Sequence, residues 1–359
     1  MILRMHPCWG MANGLGQGVR LRRRMWNRAA AACGLALFVS LVWPARQGKA
    51  SAPLAQGVAN GDIPGDSTEL NIGGGSIHVN LAAGRSDLPA PRLYAWVTRA
   101  ARAVTVYFGN FPVTRADVYV RLTEGRDGVF GGFTFLPDDG VLTTRIRVGE
   151  HTTEAELADD WTMTHEFVHL GFPSMAREHH WIEEGLATYV EPIARVQAGQ
   201  IPAQSVWQQL VDGLPKGEPA PGDSGLDHTH TWGRTYWGGA MYCLLADIGI
   251  RRATRNSAGL EDALRGILAA GGTMEHDWEI ERALTVGDKA TGTTVLSDLY
   301  AKMKDAPAPV DLDSLWRELG VVAQGREVSF REDAPLAAIR RAITEAPQAH
   351  LAPVAPAKP

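Results

Sequence analysis

The sequence predicts an α+β fold: a small mixed sheet with one packed helix, followed by a mainly helical part. Three observations predict it. Several short segments before residue 150 alternate apolar with polar residues, the period of half-buried strands. Beyond residue 150 the apolar spacing changes to three and four, the period of helices that pack by one face. The composition, 45% hydrophobic and 21% charged, is that of a globular chain able to bury a core.

The first segment stands apart from that fold. Residues 1–52 hold eight Lys/Arg and no Asp/Glu. Arg20, Arg22, Arg23, Arg24 and Arg28 precede an uncharged, largely apolar run over 29–43, and Ala50-Ser51-Ala52 offers a small-x-small cleavage site. This pattern predicts a signal peptide, and hence an exported protein, periplasmic or secreted. Uncleaved, the same run would be a membrane anchor, although it is shorter than the ~20 residues of a span. Cleavage leaves Cys243 as the sole cysteine, so no internal disulfide and no Cys-based zinc site is expected. The remainder holds 27 basic against 40 acidic side chains, a net charge of −13 that repels phosphate backbones and excludes nucleic-acid binding.

Residues 53–68 are polar and carry Gly and Pro, as a linker does. Strands are expected over 69–81, 116–122, 128–136 and 141–148, with a helix over 93–108, which makes 53–150 a small β-rich subdomain. Residues 151–345 then form a helical subdomain. Thr153 and Glu156 make a capping-box pair for a helix whose face is Leu157, Trp161, Thr164 and Val168, and which Gly171 and Pro173 end. A second helix is expected over 180–191, with Pro192 kinking or stopping it. Further helical patterns cover 205–214, 235–250, 260–268, 295–304 and 336–343, the last with Pro335 at its first position. The Pro/Ala-rich residues 346–359 are expected to be a disordered tail.

The capped helix carries His165-Glu166-Phe167-Val168-His169, an HExxH pattern. Residues at i and i+4 share a helical face, so both imidazoles can reach one ion. Glu166, one residue on, lies beside that ion, placed to take a proton from water and pass it to a leaving amine. The second helix, Trp181-Ile182-Glu183-Glu184-Gly185-Leu186-Ala187, brings a carboxylate at Glu184, and two His with one Glu is a known catalytic zinc set.

HExxH followed by W-x-x-E-G-x-A resembles the gluzincin zinc metallopeptidases, especially the aminopeptidase-N-like enzymes and the related glycyl aminopeptidases. The resemblance covers residues 130–250, about a third of the chain. It implies a zincin-like catalytic part, one zinc per chain and a peptide or protein substrate. It implies that Glu184 rather than Glu183 is the third ligand, leaving Glu183 as a solvated helix charge. Glu191, seven residues on, falls where these enzymes bond an acid to the outer nitrogen of the first histidine. Tyr236 opens Tyr-Trp-Gly-Gly-Ala, which resembles the Y-x-K-G element whose tyrosine stabilises the oxyanion; here Gly238 replaces the Lys. Residues 130–135 resemble the strand that lines the substrate, which implies substrate binding at Gly132, Phe133 and Thr134. Thr134 replaces the family's amine-gripping Glu, which weakens the case for an aminopeptidase. Those glycines also suit a turn or bulge. His179 and His180, at the entry to the second helix, and His228 and His230, ahead of Tyr236, could line the mouth of the cleft or simply be solvated, and Arg234 could meet a substrate carboxylate. The function expected is hydrolysis of peptide bonds. The alternative is a non-catalytic zinc-containing peptide-binding protein, with membrane contact only if the first segment stays uncleaved.

Overall fold

The computed structural model describes residues 62–325 and 327–346; the expected signal segment and all but residue 346 of the expected tail lie outside the described residues. β1 (Asp62–Ile63) leads into β2 (Asp66–Ile72) and β3 (Gly75–Leu81), two strands in place of the one that alternation over 69–81 predicts. Gly73 and Gly74, at φ +56° and +84°, take the left-handed backbone of a tight reversal, so the alternating run folds back on itself as a hairpin. β4 (Gly84–Arg85) pairs with β1.

α1 (Ala90–Phe108) starts ahead of its predicted first residue because Pro91 suits the first turn of a helix, and Gly109 ends it in the left-handed region. β5 (Arg115–Thr123), β6 (Val129–Phe135) and β7 (Thr143–Gly149) complete a five-stranded sheet of order β2-β3-β5-β7-β6. Its three inner strands are parallel and its two outer pairings antiparallel, the mixed sheet expected. Ile77, Val79, Val118, Val120, Ile146 and Val148 alternate into the apolar cluster that also holds Leu93, Val97 and Val104 of α1. β6 closes one edge of the sheet, with a register shift between Val129 and Gly132.

The helical part comprises α2 (Glu154–Asp159), α3 (Thr162–His169), α4 (His180–Gln197), α5 (Ala203–Gly213), α6 (Gly239–Ala253), α7 (Leu260–Ala269), α8 (Ile280–Thr291), α9 (Val295–Met303) and α10 (Leu312–Leu319). A hairpin of β8 (Val321–Gln324) and β9 (Glu327–Phe330) follows, then α11 (Ala337–Thr344). The capping box at Thr153 and Glu156 forms, but it caps only the short α2; the HExxH motif sits on the separate α3. Asp160 makes that break, since its carboxylate accepts the backbone N–H of Thr162 at 3.0 Å and of Met163 at 3.2 Å, starting a new helix. Pro192 does not end α4, which runs on to Gln197 with Pro192, Ile193, Ala194 and Arg195 all buried. α11 begins two residues beyond Pro335. The β-rich and helical parts share one apolar cluster, from Ile63 to Ile343. Among the described residues no helix is long and apolar enough to cross a membrane.

Candidate metal centre

α3 is buried along its whole length, between α4 on one side and β6 on another. Asp160 anchors its start and also accepts the Trp96 indole N–H at 2.9 Å; burial raises this carboxyl's pKa against those bonds. One turn apart on α3, the rings of His165 and His169 stand 4.9 Å between centroids and nearly perpendicular. Glu184 reaches them from α4. Its Oε2 lies 3.2 Å from His165 Nε2 and 3.8 Å from His169 Nε2. Burial, the largest influence on His165, pushes its pKa down, and the Glu184 bond and charge more than offset it, so the net shift is upward.

The separations of these three groups suit a metal. Around a tetrahedral ion with bonds of about 2.0–2.2 Å, neighbouring donor atoms stand roughly 3.4 Å apart. The two imidazoles and the carboxylate place their donor atoms within 4.8 Å of one another, fully buried, so they can close on one ion. Two nitrogens and one oxygen suit zinc, and they leave a fourth position for water or substrate.

Two glycines set where α4 lies. A Cβ on Gly185 would come within 2.3 Å of the Gly239 backbone, and one on Gly239 within 2.1 Å of the Trp181 carbonyl. Backbone therefore meets backbone at this crossing, which only glycine permits. The start of α4 is pinned by Asp227, which accepts the Trp181 indole at 2.8 Å, the Tyr300 hydroxyl at 2.7 Å and faces His179 Nδ1 at 3.1 Å. Burial pulls the Asp227 pKa up, but the bonds from His179, Trp181 and Tyr300 hold it below the usual range.

Tyr236 lies in a π-helical turn, Gly233–Gly238, that leads into α6. Its ring stands 6.5 Å from that of His165 and nearly parallel to it, with Trp232 stacked at 5.8 Å. A side chain at Gly238 would meet Arg234 and Leu226, each 3.1 Å from its Cβ.

Other expected residues are placed differently. Glu191 is buried, but its carboxylate bonds Arg195 at 2.9 Å, one turn on, and acts on His165 only as a charge through space. Arg195 in turn donates to the carbonyls of Ala158 and Asp159. Burial raises the Glu191 pKa to about 7, opposed by Arg195. Thr134 is 0% exposed, and its hydroxyl donates to Glu166 Oε2 at 2.8 Å. Gly132 lies against Glu166 too, and its position in the irregular register gives the bulge that the glycines also suggest. Phe133 points the other way, half-buried and stacked on Phe135 at 5.5 Å. Arg234 is committed to a buried ion pair with Asp223 at 2.7 Å. Glu183 is not a solvated charge; it is 7% exposed and accepts the Met175 N–H at 3.2 Å.

His180 lies closer to the centre than a residue at the cleft mouth: its Nε2 is 3.4 Å from Glu184 Oε1 and its Nδ1 3.2 Å from Glu183 Oε2. Its place four residues before Glu184, on the same helical face, was the available signal.

No protein-family model matches the chain, and no curated protein matches it in sequence. Solved structures do. An aminopeptidase N family protein from Idiomarina loihiensis matches 72% of this chain and 50% of its own, with a TM-score of 0.55 and 15% identity. A mutant M1 zinc metallopeptidase from Deinococcus radiodurans matches over 69% of this chain and 54% of its own, with a TM-score of 0.45 and 14% identity. The chain spans about half the length of the structures it matches. The likeness to the first shows that this chain shares the fold of that aminopeptidase N family protein over the matched part.

Proposed function

We propose that the protein is a zinc-dependent peptidase, with His165, His169 and Glu184 holding one zinc ion. The observation that carries the reading is the convergence of these three buried donors within 4.8 Å, with Glu166 on the same short helix. Bound zinc supplies a water of pKa about 7 and polarises the scissile carbonyl.

The chain's own groups do the rest. Glu166 takes the proton from the attacking water and delivers it to the departing amine. The Tyr236 phenol, half-buried beside His165, donates to the oxyanion as it forms. Glu191 keeps its negative charge near His165 when ionised, steadying the imidazole from a distance. β6 is an edge strand, and its backbone around Gly132 and Phe133 is suited to pair with an extended peptide. It carries no acidic residue, so a peptide lying on it meets no carboxylate there for a free amino terminus. Cleavage inside the peptide is therefore the favoured outcome. The export signal pattern of residues 1–52 supports an activity in the periplasm or outside the cell.

The test is a peptide mixture, with free and with acetylated amino termini, offered to the protein and to Glu166→Gln and read by mass spectrometry. Products from the wild type alone, from both kinds of peptide, are expected. Equal products from Glu166→Gln would refute the role of Glu166. No products from zinc-loaded wild type would favour a binding protein instead.

A further inference from the structure

We propose that Thr134 is a positioning residue for Glu166, part of a directed hydrogen-bond chain that runs from Thr144 through Thr134 to the Glu166 carboxylate. This rests on the peptidase reading above. Thr134 on β6 and Thr144 on β7 are register partners, and their hydroxyl oxygens stand 2.9 Å apart. Thr134 has one proton and three acceptors in reach: Thr144 Oγ1, the Glu166 carbonyl at 3.3 Å and Glu166 Oε2 at 2.8 Å. The carboxylate contact is the shortest and is charge-assisted, so it takes the proton. Thr144 must then be the donor to Thr134, which fixes the direction of the chain.

Gly132 completes the arrangement from two residues away on the same face of β6. An added Cβ there would lie 3.1 Å from Glu166 Cγ and 3.2 Å from Oε1, tighter than side chains normally pack. Thr134 thus engages one carboxylate oxygen, and Gly132 leaves room for the other. The carboxylate of the general base is thereby oriented by β6. A base held this way is already aligned when water and peptide arrive. Because neither threonine is placed to touch the substrate, the effect belongs in turnover and not in substrate affinity.

The experiment compares the wild type with Thr134→Val, Thr134→Ser and Thr144→Val in kcat, KM, zinc content and thermal midpoint. Thr134→Val keeps the shape and loses the donor; kcat is expected to fall roughly 10- to 100-fold, with KM within about twofold and zinc content unchanged. Thr134→Ser restores most of the loss, because the hydroxyl returns. Thr144→Val leaves the Glu166 contact in place and lowers kcat by a smaller factor. Were Thr134→Val too unstable to purify, the Thr134→Ser and Thr144→Val pair would still decide. Wild-type kcat in Thr134→Val, a loss confined to KM, or a Thr134→Ser as impaired as Thr134→Val would overturn the inference. Wild type that binds zinc but cleaves nothing would instead defeat the peptidase reading on which it rests.

Discussion

Replacing Gly185 by Ala perturbs the crossing that carries Glu184 to the histidines. The added Cβ would sit 2.3 Å from the Gly239 Cα and carbonyl carbon and 2.7 Å from the Ala240 nitrogen. Carbon atoms in contact prefer at least about 3.5 Å, so α4 and the start of α6 must part locally by roughly 1.2 Å. No flexible side chain can absorb this, because every atom met is backbone. Overpacking of that kind costs about 1–3 kcal/mol of stability. Glu184 is the adjacent residue, so the shift also moves a ligand. A displacement of about 1 Å at such a site lowers turnover on the order of 100-fold. Urea unfolding measures the first effect, and peptide cleavage at saturating zinc measures the second. A Gly185→Ala protein with stability within about 0.5 kcal/mol of wild type and unchanged turnover would refute the close-approach argument.

Further outcomes are expected elsewhere. Asp227→Asn removes the charge that Trp181, Tyr300 and His179 all face. Urea unfolding should show a loss of about 2–4 kcal/mol, and a loss below about 0.5 kcal/mol would show that Asp227 does not hold the start of α4. The His179–Asp227 pair should also give a pH dependence. The bond to Asp227, with the charges of Asp227, Glu178 and Glu281, raises the His179 pKa above its ordinary 6.5. Below 6.5 both folded and unfolded chains hold the proton and the stabilisation is complete; as pH rises through the raised folded value, it is lost. The stability difference between wild type and His179→Gln should therefore be largest near pH 6 and shrink toward pH 9. A difference that grows with pH would contradict the pairing.

What the sequence reveals of this protein follows how local each feature is. His165 and His169 are legible because helical spacing alone puts them on one face, and Glu184 because its motif lies on the next long helix. The split between α2 and α3 is not legible in the sequence, since apolar spacing runs through Asp160 and only the carboxylate's contacts reveal the break. At Pro192 backbone preference predicts a kink or stop, whereas burial on both sides of it carries α4 onward. Arg195 lies at the i+4 position from Glu191 and takes its carboxylate, a pairing that helical spacing allows and the resemblance does not imply. Thr134 and Glu166 are 32 positions apart and Trp181 and Asp227 are 46, so no local pattern links them. Asp288, near the end of α8, accepts the N–H groups of Leu296 and Ser297 at the start of α9, a link between two helices that apolar spacing does not show.

The central claim is that three side chains bind a zinc ion on which cleavage depends. Its most direct test follows zinc content and peptide cleavage together, through chelation and stepwise return of zinc, in wild type and Glu184→Ala. The expected result is about one zinc per wild-type chain, cleavage lost on chelation with circular dichroism unchanged, and recovery complete near one equivalent. Glu184→Ala should bind zinc far more weakly and recover little. Undiminished cleavage by zinc-free protein, or wild-type zinc affinity in Glu184→Ala, would contradict the account.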